Sequence, residues 1–248
     1  MVTSSMRLIE FNSRNLITFR GPIQGLSTTN WINQMNDRDP DTDTIYIYLS
    51  SPGGSVLEGN KLIDQIKTLE LTGLRVNCIA DFAASMAFVI LQACPKRMAL
   101  PSSVLMQHQM SLSLDGALES VNNYLDFIHQ ININTEKMQA DRLNMTVDEF
   151  KNKVMNDWWV AGHNTKELNI VDELVMVKCS KELLNKRDKI VVRTFFGNIN
   201  LIFSKCPIAR EPIEIDMSHI AQSKWTDAES SIKEYLPSLY ISEYHKTT

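Results

Sequence analysis

Three short segments of the sequence carry residue types that can catalyse acyl transfer. The first, residues 50–55, reads Ser-Ser-Pro-Gly-Gly-Ser and lies between an apolar run and an amphipathic segment. Backbone N–H groups freed at such a turn, next to the positive end of a helix, bind anions, and the oxyanion on a reacting carbonyl is one such anion. A tight turn between a strand and a helix accounts for the same residues, so this segment alone does not specify catalysis.

The second segment, residues 83–86, reads Ala-Ala-Ser-Met. Its serine, Ser85, stands between a predicted strand and a predicted buried helix, which is where a nucleophile at a helix start is expected. The small neighbours would let a substrate approach the hydroxyl closely. Taken by itself, Ser85 is more simply interpreted as a helix N-cap.

The third segment, residues 106–109, reads Met-Gln-His-Gln and ends a short predicted strand. A serine hydroxyl is a poor nucleophile at neutral pH until a base removes its proton, and histidine is the side chain best suited to that task. The other four histidines, at positions 129, 163, 219 and 245, fall on a long helix, in a loop or in the C-terminal tail, and are interpreted as solvated. His108 is therefore the candidate general base.

The elements that must position these segments alternate between strand and helix. A β-branched and aromatic run at residues 45–49 predicts a strand, and Leu62, Ile66 and Leu69 follow helical spacing behind a capping box at Ser55. Residues 75–80 and 104–106 predict two further strands, and the all-apolar residues 86–91 predict a buried helix between them. This order predicts right-handed crossovers and a mostly parallel α/β sheet.

A long helical segment follows at residues 117–143, with apolar residues at three- and four-residue spacing. At about 1.5 Å per residue it would approach ~40 Å, longer than a compact domain can cover, so part of it should project and meet a partner. Residues 131–134, Ile-Asn-Ile-Asn, have weak helix propensity, so the segment is interpreted either as one long helix or as a helix broken there. A capping box at Thr146 then opens a helix that ends near residue 156, and residues 170–177 close the unit as a strand.

The last 70 or so residues have a different character, since residues 189–196 and 199–204 flank Gly197-Asn198, a hairpin signal. After Pro207 the chain becomes polar and aromatic, which predicts a peripheral and partly disordered extension. We divide the chain into an N-terminal segment (1–14), an α/β domain (15–178) and a C-terminal extension (179–248).

Composition argues against several classes of function. The formal net charge of −4 disfavours a nucleic-acid binder, which would show a basic domain or stripe. The sequence has no apolar run of the roughly 18 residues that span a membrane, and its first residues lack a signal-peptide core, so we expect a cytoplasmic protein. The cysteines, at positions 78, 94, 179 and 206, form no CxxC pair and are interpreted as structural thiols in a reducing compartment, with no zinc site.

Together these segments resemble the Clp peptidase family over about residues 15–175. The resemblance begins at Ile17-Thr-Phe-Arg-Gly-Pro22 and continues through Tyr46-Ile-Tyr-Leu-Ser-Ser-Pro-Gly-Gly54, which is similar to the family's YINSPGG. Residues 83–86 match its AASM nucleophile segment, and residues 100–109 are similar to its LPNSRxMIHQ segment. The order and spacing of these motifs are far more specific than any one of them. The resemblance implies the ClpP/crotonase-like spiral of βαβ units, with the long helix as a projecting handle.

The same resemblance implies a Ser-His-Asp triad without metal or cofactor. Ser85 corresponds to the nucleophile and His108 to the general base, while Gly54 and Met86 match the positions whose N–H groups form the oxyanion hole. Glu167-Leu-Asn-Ile-Val-Asp172 matches the family's E-x-G-L-V-D element, with Asn169 in place of glycine. Counting back from that element gives Asp157 as the acid that orients the imidazole, and Asp172 is its rival, interpreted as structural.

The sequence also departs from the family pattern. Asp81 stands where the family usually has glycine, four residues before the nucleophile, and Ala87 replaces the glycine after the methionine. Two residues are missing between Ser85 and His108, and two are extra between Gly54 and Ser85. Signal-peptide-degrading serine peptidases share the Gly-Gly and Ala-Ala-Ser patterns but use lysine as the base, so His108 argues against them.

The family implies a serine endopeptidase that hydrolyses unfolded proteins or peptides in a homo-oligomeric ring. Such rings are heptameric, can be stacked through the handle, and work with an AAA+ ATPase unfoldase. Two alternatives stay open at this point. One is a catalytically inactive Clp-like subunit that acts as a structural or regulatory partner, and the other is a crotonase-like enzyme that acts on acyl-thioesters.

Overall fold

The computed structural model describes residues 6–237, 240 and 241. The first five residues of the predicted N-terminal segment and His245 lie outside them. Ten strands are described, namely β1 (Arg7–Phe11), β2 (Leu16–Arg20), β3 (Thr44–Ser51), β4 (Arg75–Ala84), β5 (Lys96–Gln107), β6 (Trp158–Ala161), β7 (Glu173–Cys179), β8 (Arg187–Thr194), β9 (Gly197–Ser204) and β10 (Glu214–Asp216).

Eight α-helices and two 3₁₀ turns complete the described elements. The helices are α1 (Gly25–Asn36), α2 (Val56–Leu71), α3 (Met86–Ala93), α4 (Leu118–Leu143), α5 (Val147–Val154), α6 (Asn164–Glu167), α7 (Lys181–Asn185) and α8 (Trp225–Glu229). The 3₁₀ turns are Gln222–Lys224 and Ser230–Tyr235.

Seven strands form the main sheet, in the order β1-β7-β5-β4-β3-β2, with β6 added to β5. All pairs along the main path are parallel, and only β6 runs antiparallel to its neighbour. The predicted mostly parallel α/β fold is therefore confirmed. The sheet also includes a strand that the sequence did not indicate, because β1, inside the predicted N-terminal segment, pairs with β7.

Strand β3 shows why the sheet is buried on both faces. Ile45, Ile47 and Leu49 point to the side covered by α1, α2 and α3, and each is fully buried. Tyr48 points to the opposite side, where it is equally buried beside Phe11. Helices cover one face of β3, and side chains of β1 and β7 cover the other. Burial on both faces explains the nearly continuous apolar run of this strand.

Helix α4 runs without interruption from Leu118 to Leu143, so the interpretation as one long helix is correct and the alternative of a break at residues 131–134 is wrong. The polar side chains that lower helix propensity bond within the helix instead, since Asn132 Nδ2 donates to Glu136 Oε1 at 2.9 Å and Thr135 Oγ1 donates to the Ile131 carbonyl at 3.0 Å. Only the second half of the helix is well covered, and Tyr124 and Phe127 in the first half are exposed. Helix α4 therefore has the projecting apolar surface that its length predicts.

The prediction of four free thiols is also wrong. Cys78 and Cys94 form a disulfide between β4 and the end of α3, and Cys179 and Cys206 form a second one. The fold brings the two Cα atoms of each pair to 6.0 and 5.8 Å, within the usual range for a disulfide. The cysteines consequently give no support to a reducing compartment.

The extension carries its own small core. Strands β8, β9 and β10 form an antiparallel sheet, with the predicted hairpin at Gly197, and residues from α8 and the last 3₁₀ turn pack on it. This unit is bonded to the α/β body through the disulfide between Cys206 and the end of β7. The extension is thus tied to the body at the edge of the main sheet, while the division into three regions stays a prediction.

Candidate active site

Ser85 lies in a strained turn between β4 and α3. Its φ of 54° places a non-glycine residue in the left-handed region, which is uncommon for a side chain of this kind. The turn is held from both sides, because the Ser85 N–H donates to the Met106 carbonyl at 2.9 Å and the Ser85 carbonyl accepts from Val89 N–H at 3.2 Å. This conformation presents the hydroxyl at the end of the strand, as in the nucleophile elbow of other α/β enzymes.

His108 follows β5, the strand beside β4. Its Nε2 atom is 2.9 Å from Ser85 Oγ, within hydrogen-bond distance. The two side chains meet because Ala84 pairs with Met106 in the parallel register, so the ends of both strands reach the same edge of the sheet. The imidazole is therefore placed to accept the hydroxyl proton.

Asp157 approaches the other side of the imidazole. Its Oδ1 atom is 3.7 Å from His108 Nδ1, longer than a hydrogen bond but within the range of an ion pair. Strand β6 begins directly after Asp157, and its first residue, Trp158, pairs with Gln107 of β5. The antiparallel register thereby sets Asp157 opposite His108.

Asp172 lies elsewhere and binds an arginine. It accepts hydrogen bonds from Arg97 at the backbone N (2.8 Å), at Nε (3.1 Å) and at Nη2 (2.6 Å). Burial raises the pKa of Asp172, but these bonds to Arg97 outweigh it and the pKa lies below its ordinary value. The carboxylate is engaged in joining β7 to β5.

The glycines at residues 53 and 54 are required by close contacts. A Cβ on Gly53, at φ +93°, would lie 2.5 Å from the Ala84 carbonyl oxygen and 2.8 Å from Met86 N. A Cβ on Gly54, at φ +141°, would lie 2.5 Å from the Ile23 carbonyl oxygen. Only glycine lets this loop pack directly against the Ser85 turn.

Gly54 and Met86 line the same cavity as Ser85 and His108, with a volume of about 530 Å³. Phe150 and Val154 of α5 give it an apolar side, and Thr135, Glu136 and Gln139 of α4 give it a polar one. The cavity is therefore a cleft beside the serine that has room for a side chain of a bound peptide.

Sequence reasoning missed a buried pair of glutamines behind the histidine. Gln107 Nε2 donates to Gln139 Oε1 at 2.6 Å, and Gln139 Nε2 donates in turn to the Thr135 carbonyl at 3.2 Å. Gln107 Oε1 accepts from His108 N–H at 3.3 Å. The available signal was a polar residue next to His108, directly after the apolar residues 104–106. The pair connects the backbone of His108 to helix α4.

Gly59 of α2 is a second residue that the sequence reading passed over. A Cβ there would lie 2.4 Å from Cγ of Met86, so the glycine gives the Met86 side chain its space. A glycine inside an amphipathic helix is unfavourable unless packing requires it, and that was the signal.

Asp81 occupies an irregular position in β4. The pairing to β3 and to β5 shifts register around it, which marks a bulge four residues before Ser85. Its side chain is fully buried and binds Arg210 of the extension. The residue that departs from the family's glycine is thus compensated by a partner from outside the α/β domain.

A parallel α/β sheet that presents a serine to an imidazole and a carboxylate at adjacent strand ends has the arrangement of serine hydrolases. The family model described as Clp protease matches residues 5–178, more than half of the chain. The chain belongs to this family, so the resemblance drawn from the sequence motifs is confirmed. In general terms it is a Clp-type peptidase, from a family that forms oligomeric rings with ATPases.

Two features are absent from the part of the chain that the structure describes. Within residues 6–237, 240 and 241, no helix has the length and apolar character needed to cross a bilayer. Over the same part of the chain, no group of three or more His, Cys, Asp or Glu side chains could hold a metal ion.

Proposed function

We propose that the chain is a serine endopeptidase that hydrolyses peptide bonds in unfolded proteins or peptides, with Ser85, His108 and Asp157 as its triad. The observation that carries this proposal is the 2.9 Å distance between Ser85 Oγ and His108 Nε2 at a turn with φ 54°. A structural N-cap serine needs neither the strained backbone nor the imidazole, and Ser85 makes no side-chain cap bond to α3.

The reaction begins when His108 Nε2 removes the proton from Ser85 Oγ as the oxygen attacks the scissile carbonyl carbon. The negative charge moves to the carbonyl oxygen, where the backbone N–H groups of Gly54 and Met86 stabilise it. His108 then gives the proton to the leaving amine, and an acyl-enzyme remains on Ser85. Water, activated by the same imidazole, releases the acid product and restores the serine.

Asp157 orients the imidazole and stabilises its positive charge in the intermediate states. An imidazolium in a partly desolvated cleft needs a fixed negative partner near its other nitrogen. Asp157 Oδ1 is the candidate, at 3.7 Å from Nδ1. Closing that gap by about 0.8 Å would give a normal hydrogen bond, and catalytic bonds that are long in the free enzyme often shorten when substrate binds.

A catalytically inactive Clp-like subunit is the second candidate, and the same 3.7 Å distance favours it. An imidazole without a firm partner at Nδ1 is not fixed in the tautomer that accepts a proton at Nε2.

For both candidates we propose a homo-oligomeric, heptameric ring as the assembly, since the exposed apolar face of α4 is available to a second copy. An AAA+ ATPase as partner belongs to the same proposal.

A fluorophosphonate probe on the purified full chain separates the two candidates. We expect covalent labelling of the wild type at Ser85, no labelling of Ser85→Ala, and full labelling of Ser120→Ala, which changes an exposed serine on α4. Cleavage of unfolded casein should follow the same pattern. A wild type that is neither labelled nor able to cleave casein, although folded and assembled, would establish the inactive subunit instead.

A further inference from the structure

The C-terminal extension returns to the active site along a path of specific contacts. After the disulfide at Cys206, the carbonyls of Pro207 and Ala209 accept hydrogen bonds from Arg20 Nη2 at 3.5 and 3.2 Å. Arg20 ends β2 and is only 7% exposed, and its guanidinium lies 4.2 Å from the centroid of the Phe203 ring. These contacts fix residues 207–209 of the extension on the α/β body.

A second set of contacts fixes the last described part of the extension. The ring of Tyr235 packs against Gly21, where a Cβ would lie only 2.5 Å from Tyr235 Cδ1. Glu234, directly before Tyr235, and Tyr240, five residues after it, line the cavity that contains Ser85 and His108. The extension therefore contributes part of the wall of the catalytic cleft.

Tyr240 packs on a small apolar cluster behind the catalytic residues. Its ring centroid is 5.7 Å from that of Phe82, and the two rings are inclined at 59°. The cluster consists of residues from three strand ends and the extension, namely Phe82, Ala84, Val104, Met106, Trp159, Tyr240 and Ile241. It lies on the face of the sheet opposite to Ala83, Leu105 and Val160, which pack under α3.

The members of this cluster are the neighbours of the catalytic residues in the chain. Ala84 directly precedes Ser85, Met106 comes two residues before His108, and Trp159 comes two residues after Asp157. Ala84 pairs with Met106, and Met106 pairs with Trp159. Tyr240 contacts Phe82 of β4 and packs against the buried cluster to which Ala84 and Met106 also belong.

We propose that Tyr240 is a positioning residue, which holds the ends of β4, β5 and β6 in the alignment that brings Ser85, His108 and Asp157 together. This inference rests on the proposed serine-peptidase function. Burial first, and then the carboxylates of Glu234 and Asp157, raise the pKa of Tyr240, so the phenol stays neutral and within electrostatic reach of the triad. The extension is then part of the catalytic unit, although the family match ends at residue 178.

The alignment of the three strand ends matters because small displacements are costly in catalysis. A misplacement of about 1 Å at the reacting atoms reduces rates by roughly 100-fold. The distance between Asp157 Oδ1 and His108 Nδ1 already exceeds that of a hydrogen bond. If the support behind Trp159 is lost, this distance should increase further and the interaction should weaken. A residue that only lined the cleft would instead alter substrate binding.

The test compares Tyr240→Ala with Tyr240→Phe in the full chain, and Phe195→Ala, at a 97% exposed position of the extension, is the control. Measured quantities are kcat and KM for a fluorogenic peptide and the rate constant for fluorophosphonate labelling of Ser85. We expect the alanine variant to lose roughly 10- to 100-fold in kcat and in labelling rate with KM nearly unchanged. The phenylalanine variant should stay close to the wild type, and so should the control.

The possible outcomes separate the two proposals. A wild type without Ser85-dependent labelling overturns the proposed function, and this inference with it. A labelled wild type whose Tyr240→Ala variant reacts at the same rate, or changes only in KM, overturns the inference alone. If the alanine variant does not fold, Tyr240→Leu replaces it, and a leucine variant with the full wild-type labelling rate refutes the role of the ring.

Discussion

The carboxylate of Asp81 and the guanidinium of Arg210 form an ion pair between the strand that leads to the nucleophile and the C-terminal extension. Arg210 Nε donates to Asp81 Oδ2 at 2.8 Å, and Arg210 Nη2 donates to Oδ1 of the same carboxylate and to Ser102 Oγ. The Asp81 side chain is fully buried, whereas that of Arg210 is 39% exposed. A buried charge of this kind depends on its partner, because Arg210 contributes the largest part of what offsets its desolvation.

Replacing Arg210 should therefore destabilise the protein strongly. We expect Arg210→Met to lower the free energy of unfolding by about 3 kcal/mol at neutral pH, since the uncompensated carboxylate stays inside the protein. The double variant Asp81→Asn with Arg210→Met should recover most of this loss. Urea denaturation followed by far-UV circular dichroism measures both, and Arg193→Met, at an exposed position of β8, is the matched control. If the single and double variants lose the same free energy of unfolding, the destabilisation does not come from the unpaired charge of Asp81.

The destabilisation by Arg210→Met should also depend on pH. Burial raises the pKa of Asp81, and the charges of Arg210 and Arg20 with the Tyr48 hydroxyl only partly offset it. A carboxyl whose folded pKa is raised stabilises the fold below its unfolded pKa and loses that contribution as the pH rises through the folded pKa. Removing Arg210 raises the folded pKa further. The stability difference between wild type and variant should grow with rising pH and shrink in acid, and denaturation midpoints across pH measure it.

The disulfide between Cys179 and Cys206 should contribute to stability through the loop that it closes. The two cysteines are 27 residues apart, and chain-entropy arguments give about 3–4 kcal/mol for a loop of this length. Cys206→Ser should lower the stability of the oxidised protein by about that amount. The variant serves as its own control, because in reductant its remaining difference from the wild type should be small. A variant as stable as the oxidised wild type would mean that the bond does not form in solution.

Local sequence patterns predicted the parts of the fold that depend on local physics. The parallel order of β3, β4 and β5 follows from alternating apolar runs and helical spacing, and the projecting helix α4 follows from its length. The contact between Ser85 and His108 could be predicted for the same reason, because the ends of neighbouring parallel strands lie at one edge of the sheet.

What the sequence did not predict depends on contacts between distant residues. The pairing of β1 with β7 joins residues that are separated by most of the chain, and the local sequence of neither strand indicates its partner. The bond between Asp81 and Arg210 joins residues 129 positions apart, so the sequence showed Asp81 only as a departure from the family's glycine. The disulfides escaped prediction because cysteine spacing alone does not define a pairing.

The exposed apolar face of α4 should be required for ring assembly. Tyr124 and Phe127 are 41% and 43% exposed, and their ring centroids are 5.8 Å apart. Phe127→Glu should shift the protein to smaller species in light scattering, because a charge on this face opposes its burial against a second copy. Asn122→Glu adds the same charge at an exposed position that lies about 140° around the same helix from Phe127, and it should assemble normally. A ring that survives Phe127→Glu would show that the interface lies elsewhere.

Asp157 and Asp172 should respond in opposite ways when each is replaced by asparagine. Asp157→Asn keeps the size of the side chain but favours the wrong imidazole tautomer at His108. We expect kcat to fall by orders of magnitude, up to the roughly 10⁴ seen when the triad aspartate of a trypsin-type protease is replaced in this way. The stability of the variant should change little, because Asp157 is 29% exposed and only loosely bound to His108.

Asp172→Asn should do the opposite. It removes the negative partner of Arg97, whose side chain is only 4% exposed, so we expect a loss of roughly 3 kcal/mol in stability with most of the activity per folded molecule retained. The pKa of Asp172 is lowered in the fold, so its contribution is present above the unfolded pKa and is lost as the pH falls through the folded pKa. The variant should therefore approach wild-type stability in acid. Hydrolysis abolished by Asp172→Asn and spared by Asp157→Asn would exchange the roles of the two residues. If both variants stay fully active, catalysis needs no more than Ser85 and His108, whose direct contact at 2.9 Å is the part of the site independent of either carboxylate.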